Sequence, residues 1–341
     1  MLQFIKKEKI YILLLIFIVA VNIFALGQEK GEASTEEQSI STMSFEEIGI
    51  TEDKVKGFFE SGAKSAIFFK FASIIGFYIF IASIVLNIVF LFKRKKISLK
   101  PNLSNETVSW DVPDLIRATI VIVFAGYVIA IIESIVFRVF NFDHGQNMRM
   151  MISTFFVDTL ALLVILYFVL IKCKATLKSL GIRVTSFFRN ISTGIFAYVL
   201  ILPGLLLILA LSMWVVNLVG YTPPPQPIFD VLMKEEETRA LFFLTIFISV
   251  FGPVVEEIFF RGFMYTAIKK HLGMVGAAFL SACIFSLLHT NVIGFLPIMA
   301  LGVALAYLYE RTGSLVASMA VHITHNSVIL IFVFFVKGLI G

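Results

Sequence analysis

The chain is a succession of long apolar runs separated by short polar or charged segments. Most runs approach the roughly 20 residues that a membrane-spanning helix needs. The first covers 10–26 and follows Lys6, Lys7 and Lys9. It reads as an uncleaved anchor rather than a signal peptide, because it is long for a signal core and no small-x-small cleavage site follows it. Residues 28–60 are polar and acidic, with Glu29, Glu32, Glu36, Glu37, Glu46, Glu47, Glu52 and Asp53, and read as an extracytoplasmic loop. A second run, 66–92, stops at Lys93-Arg94-Lys95-Lys96, which places that end in the cytoplasm. After a linker containing Pro101, Asn102 and Pro113, further runs lie at 115–140, 150–171 and 191–218, from 241 toward Arg261, then at 276–292, 295–309 and 314–336. Lys172, Lys174, Lys178, Arg183 and Arg189 mark one cytoplasmic loop, and Lys269 and Lys270 another. Pro223-Pro224-Pro225 and Glu235-Glu236-Glu237 mark a loop on the outside. The pattern predicts an all-α, polytopic membrane bundle of about eight to nine spans. It divides into a two-helix appendage with an acidic loop (1–97) and a core (98–341).

Composition fixes the solvent. Hydrophobic residues make up 59% and charged residues 15% of the 341, whereas a soluble domain carries about a quarter charged residues. Such a chain cannot cover a water-facing surface, so a multi-pass protein, in the cell membrane, is expected. The net charge of +5 reads as topology rather than nucleic-acid binding. The basic residues sit at the ends of apolar runs, with no interleaving of aromatic and basic positions. Cys173 and Cys283 are the only cysteines, far apart and without the spacing of a zinc site or a disulfide framework.

Against this background a cluster of ionisable residues stands out in the C-terminal third, where each costs several kcal/mol unless it is used. In Pro253-Val254-Val255-Glu256-Glu257-Ile258-Phe259-Phe260-Arg261 two carboxylates interrupt an apolar helix. His289 ends the next span, four residues after Phe285, and the last span carries His322, His325 and Asn326. Helical spacing puts Glu257 and Arg261 on one face, where they can pair. Glu256, about 100° away around the helix, is left free to act. Phe285 and His289 share a face, as do His322 and Asn326. Such a set suits amide hydrolysis: a carboxylate outside bulk water as general base, a neutral histidine to hold the water, and histidine and amide donors for an oxyanion.

Glu-Glu-x-x-x-Arg, Phe-x-x-x-His and His-x-x-x-Asn, in that order on successive membrane helices, resemble the signature of the type II CAAX prenyl protease and bacteriocin-processing (CPBP, or Abi) family. All three motifs are intact, and the resemblance covers about 180–336. It implies an all-helical intramembrane glutamate protease in which Glu256 and His289 activate water and His322 and Asn326 build the oxyanion site, with Glu257 and Arg261 in support. The implied substrate is a membrane-associated peptide or protein, lipid-modified or hydrophobic. No cofactor is expected. Zinc could bind a glutamate and two histidines, but there is no His-Glu-x-x-His, and a carboxylate base with an Asn donor accounts for the same residues. The cavity is expected to open toward the cytoplasm, because Glu256 precedes Lys269 and Lys270 by only a few turns.

Other polar residues read more plainly. His325 receives no role. Glu133 and Asp158 lie outside the motifs and read as helix–helix hydrogen bonds or helix-end positions. Trp110 and Trp214 read as interfacial anchors. A different class of function, a non-proteolytic bacteriocin-immunity or scaffold protein of the same fold, is the alternative. A transporter is disfavoured, since the chain shows no pair of related halves.

Overall fold

The structure, a computed structural model, describes residues 2–28, 49–92, 108–140, 146–183, 186–221 and 226–340. The acidic stretch through Glu47, the basic block Lys93–Lys96, Pro101, Asn102 and Pro223–Pro225 lie outside the described residues. Among the described residues the chain is helical without strands, as a bilayer requires of backbone groups that find no water to bond. The elements are α1 (Leu2–Gln28), α2 (Glu52–Glu60), α3 (Lys64–Phe92), α4 (Val112–Phe140), α5 (Gln146–Leu166, continued by a π turn, Tyr167–Lys172), α6 (Phe187–Val219), α7 (Pro227–Lys234), α8 (Thr238–Leu288), α9 (Phe295–Thr312) and α10 (Leu315–Ile340). Six helices among the described residues are long and apolar enough to cross a membrane: α3, α4, α5, α6, α8 and α10. The protein is therefore an integral, multi-pass membrane protein.

The two runs expected at 241–261 and 276–292 belong to α8, 51 residues long and folded back on itself at Gly273 (φ 67°, ψ −177°). Glycine takes this positive φ without the steric cost of a Cβ. The second arm ends at Leu288, earlier than the apolar pattern suggests. It is followed by the 18-residue α9, so two short helices precede the last span, α10. Lys269, beside the fold-back, donates to Glu310 Oε1 (2.6 Å), and Tyr265 donates its hydroxyl to Oε2 (2.7 Å). The Glu310 side chain, 0% exposed, is thus compensated on both oxygens. His271 Nε2 lies 2.6 Å from Asp111 Oδ1 and, with the Val112 amide, holds that exposed carboxylate below its usual range.

Helices dock through close backbone approach and through carbonyls that need a donor. A Cβ on Gly194 of α6 would come within 2.4 Å of the Ala317 carbonyl oxygen of α10, the tight approach that small residues allow in membranes. Pro203 sits inside α6 and has no N–H for the carbonyl one turn back. That carbonyl, Val199 O, accepts from Ser83 of α3 at 2.5 Å, and its neighbour Leu200 O accepts from Asn87 at 2.9 Å. α3 is thereby tied to the core helix, and α1 is tied to α4 by Asn22 to Tyr127 (2.6 Å) and by the Glu8–Arg117 ion pair.

Trp110 corrects an expectation. It is 0% exposed and donates Nε1 to Phe263 O and Thr266 Oγ1, both at 3.1 Å. It is a plug in the core at one end of the bundle, against the end of the π turn Ile258–Tyr265, and it is not a lipid-facing anchor. Trp214 is 60% exposed, as a lipid-facing residue would be.

Candidate functional site

Local helix chemistry sets the position of the two carboxylates. Between Phe247 and Tyr265 the first arm of α8 is α-helical only over Gly252–Glu257. It is flanked by π turns at Phe247–Phe251 and Ile258–Tyr265, a widening that recurs at functional sites. Gly252 N–H bonds back five residues to Phe247 O. The next position in that register is Pro253, which has no N–H, so Ile248 O is left without a backbone donor. Asn326 Nδ2 of α10 supplies it, at 2.9 Å. The resulting expectation is a coupling. Asn326→Ala should cost about 1–3 kcal/mol, the penalty of an unsatisfied polar group. In a Pro253→Ala background, where the backbone can again satisfy Ile248 O, the same change should cost less than half as much. Thermal unfolding of the four proteins in detergent measures this, and equal losses in both backgrounds would refute it.

Glu257 and Glu256 then face different surroundings. Glu257 is 0% exposed; its Oε1 accepts from Arg261 at 2.7 Å and lies 3.2 Å from His322 Nδ1. Arg261 also reaches Gly302 O at 3.3 Å. A Cβ on Gly302 would fall 2.9 Å from Ala282 Cβ and 3.4 Å from the guanidinium, so glycine is what lets α9 approach. Glu256 is one-third exposed, with Oε2 at 3.5 Å from His322 Nε2. The i, i+4 pairing read from the sequence and the divergence of its neighbour are both present.

The histidines are oriented by their second nitrogens. His289 Nδ1 is 2.8 Å from Phe285 O. Since a carbonyl only accepts, Nδ1 carries the proton and Nε2 presents a lone pair. His322 Nδ1 likewise faces a carboxylate, so its Nε2 is the nitrogen turned to Glu256. Phe285 is the hub of the cluster. Its ring, 1% exposed, packs against His289 (4.6 Å between centroids), His322 (5.6 Å) and the Arg261 guanidinium (4.5 Å from the ring centroid). The spacing of Phe285 and His289 was legible in the sequence, but not this function of the phenylalanine, which is to wedge both rings and the cation in place.

Glu256, His289, His322 and Asn326 all line one cavity of about 470 Å³. The structure therefore brings together the four residues expected to act, with Glu257 and Arg261 directly behind them. It adds two that the sequence set aside. Asp158 of α5 lines the same cavity, near enough to Glu256 for their charges to interact. The signal was available, since an aspartate within an apolar run is unusual, but it lies in no motif. His325 also lines the cavity, with Nδ1 buried and unbonded and its ring 5.8 Å from Tyr198. Glu133 is elsewhere, in a groove with Arg149 and Ser153. Among the described residues no three His, Cys, Asp or Glu side chains are gathered as a metal site would be.

The cavity also departs from the direction expected of it. It extends from Glu256 away from Lys269 and Lys270. Its far wall is formed by Gln226, Ile228, Phe229 and Leu232, from α7 and the residue before it. α7 is pinned by Lys337 of α10, which donates to Leu232 O (2.9 Å) and to Glu235 O.

Comparison with known proteins bears on the same segment. Residues 238–328 match the family described as type II CAAX prenyl endopeptidase, Rce1-like. A Bacillus subtilis (strain 168) protein named "Putative membrane peptidase YdiL" is 27% identical over 111 residues, 30% of this chain and 46% of the relative. The chain thus spans about half the length of that curated relative. No solved structure matches. The family match contains all three motifs, Glu256-Glu257 with Arg261, Phe285 with His289, and His322 with Asn326, so the segment that lines the cavity on α8 and α10 is the one similar to the Rce1-like, type II CAAX prenyl endopeptidases.

Proposed function

We propose that the protein is an intramembrane endopeptidase that hydrolyses a peptide bond with water activated by Glu256. The observation that carries this reading is the convergence of Glu256, His289, His322 and Asn326 on one cavity within apolar helices. A water between Glu256 and His289 Nε2 gives up its proton to the carboxylate as its oxygen attacks the scissile carbonyl carbon. The oxyanion that forms is met by His322 and by the second N–H of the Asn326 amide, whose first N–H is engaged with Ile248 O. To donate, His322 Nε2 carries a second proton, and the carboxylates of Glu256 and Glu257 on either side of the ring compensate that charge. Glu256 then delivers its proton to the leaving amine as the C–N bond breaks, and the carboxylate is restored. Arg261 neutralises Glu257, so that of the two adjacent glutamates Glu256 is the one that exchanges protons with the cavity. The chemistry is proposed to proceed without a metal, so cleavage should survive exhaustive chelation.

The test compares membrane proteomes from cells carrying the wild type and Glu256→Ala at matched levels. New peptide termini present with the wild type and absent with the variant would identify the substrate. Identical termini in the two, across conditions in which the protein is expressed, would overturn the reading. That result would favour the non-proteolytic alternative if the variant still rescued a deletion phenotype.

A further inference from the structure

The two ends of the bundle differ in charge and in what they leave open. One end is assembled from the start of α4, the segment after α5, the fold-back of α8 and the α9–α10 turn. There Lys172 meets Asp114 (3.0 Å), His271 meets Asp111, Lys270 donates to Trp110 O, and Leu315 N–H bonds Gly181 O (2.9 Å). The loops at this end are rich in lysine and arginine, with Lys174, Lys178 and Arg183 in one and Lys269, Lys270 in another, and the chain beyond α3 runs directly into Lys93–Lys96. The other end is assembled from α2, α7, the start of α8's first arm and the C-terminus of α10. Phe58 and Phe59 of α2 lie against Phe335 there (6.0 and 5.7 Å), and the run Glu235-Glu236-Glu237 follows α7. Lysine and arginine in short loops set orientation, so the first end is cytoplasmic and the second is not.

The cavity belongs to the second end. Its lining comes from the first half of α5, at Thr154 and Asp158, from α7, from the turn at His289 and Asn291, and from the middle of α10, His322 to Val333. Toward the first end it is closed by packed side chains: Glu257 with Arg261, then Phe260, Phe263 and Tyr265, all 5% exposed or less, with Trp110 behind them. Toward the second end, among the described residues, it is bounded by α7, eight residues long, and by Leu330 and Val333 of α10. That helix buries Val231 and Leu232 but leaves Ile228 40% exposed.

We infer that the site is reached from the extracytoplasmic side, beneath α7, and that its substrates are peptide segments exposed at or lodged in the outer leaflet. A C-terminus presented from the cytoplasm would meet the plugged end. The side of access follows from charge and packing alone; the substrate class rests on the proposed peptidase activity.

The test separates the two. With Cys173 and Cys283 replaced by serine, single cysteines are placed at Glu236, next to α7, and at Lys178, in the basic loop. Both positions are exposed. In intact cells a membrane-impermeant maleimide should label the cysteine at 236 and reach that at 178 only after permeabilisation; the reverse pattern overturns the inference. Single-span reporters carrying the same cleavable segment on either side of the membrane are then expressed with the wild type or Glu256→Gln. Cleavage of the outward-facing reporter by the wild type alone is expected, and cleavage of the inward-facing reporter alone overturns the inference. If the wild type cleaves neither reporter nor any natural substrate, the peptidase reading fails, while the labelling still decides the side.

Discussion

Glu256→Gln should leave a folded protein that has lost about a thousandfold or more of its cleavage rate, within the 10²–10⁴ range usual for a general base. The substitution conserves volume and replaces an acceptor-only carboxylate by an amide that cannot take a proton from water. Glu256 has no structural partner to lose on the scale of its neighbour: its nearest ring nitrogen, His322 Nε2, is at 3.5 Å, and its Oε2 has no hydrogen bond among the described residues. Thermal unfolding in detergent should therefore be nearly unchanged while turnover of any substrate found by terminal proteomics disappears. Asp158 shares the cavity and supplies the control: if the wild-type rate persists in Glu256→Gln but vanishes in Asp158→Asn, the base has been assigned to the wrong carboxylate.

Much of this site was legible because helical spacing is a strong constraint. Four-residue intervals put Glu257 beside Arg261, turned Glu256 elsewhere and aligned Phe285 with His289, and the side chains lie accordingly. What the apolar pattern could not convey is how a run of hydrophobic residues is wound. Pro253 lies in a run that reads as one uninterrupted span, yet it divides the helix into π and α stretches, and the carbonyl it leaves free is satisfied by Asn326, 78 residues later. The same holds for Pro203, whose freed carbonyl is met from α3. The surroundings of Trp110 and Asp158 escape the pattern for a related reason. A tryptophan near a basic segment and an aspartate in an apolar run both have common roles in lipid, and only the packing of other helices shows that one is a core plug and the other faces the cavity. The direction of the cavity was read from the distance between Glu256 and Lys269 along the chain. That distance says where the helix goes, but not which end its neighbours leave unfilled.

Arg261→Met should be the most destabilising single change in the site, by about 3–5 kcal/mol, because removing one partner of a buried ion pair leaves an uncompensated charge. Glu257 is 0% exposed and loses its 2.7 Å bond, with His322 Nδ1 still 3.2 Å away; Gly302 O and the Phe285 ring lose their contacts with the guanidinium as well. Adding Glu257→Gln to Arg261→Met should recover a large part of that loss, since removing both charges of a buried pair is far less costly than removing one. Activity should not follow stability. With Glu257 neutral, His322 Nδ1 no longer faces a carboxylate, and the ring that the proposed mechanism requires as a donor loses the charge that supports its second proton. The double variant is thus expected to unfold near the wild-type temperature and to cleave at least tenfold more slowly, measured on the same preparations. A double variant less stable than Arg261→Met alone would mean that the pair does more than cancel charge. A double variant with full activity would remove His322 from the oxyanion site.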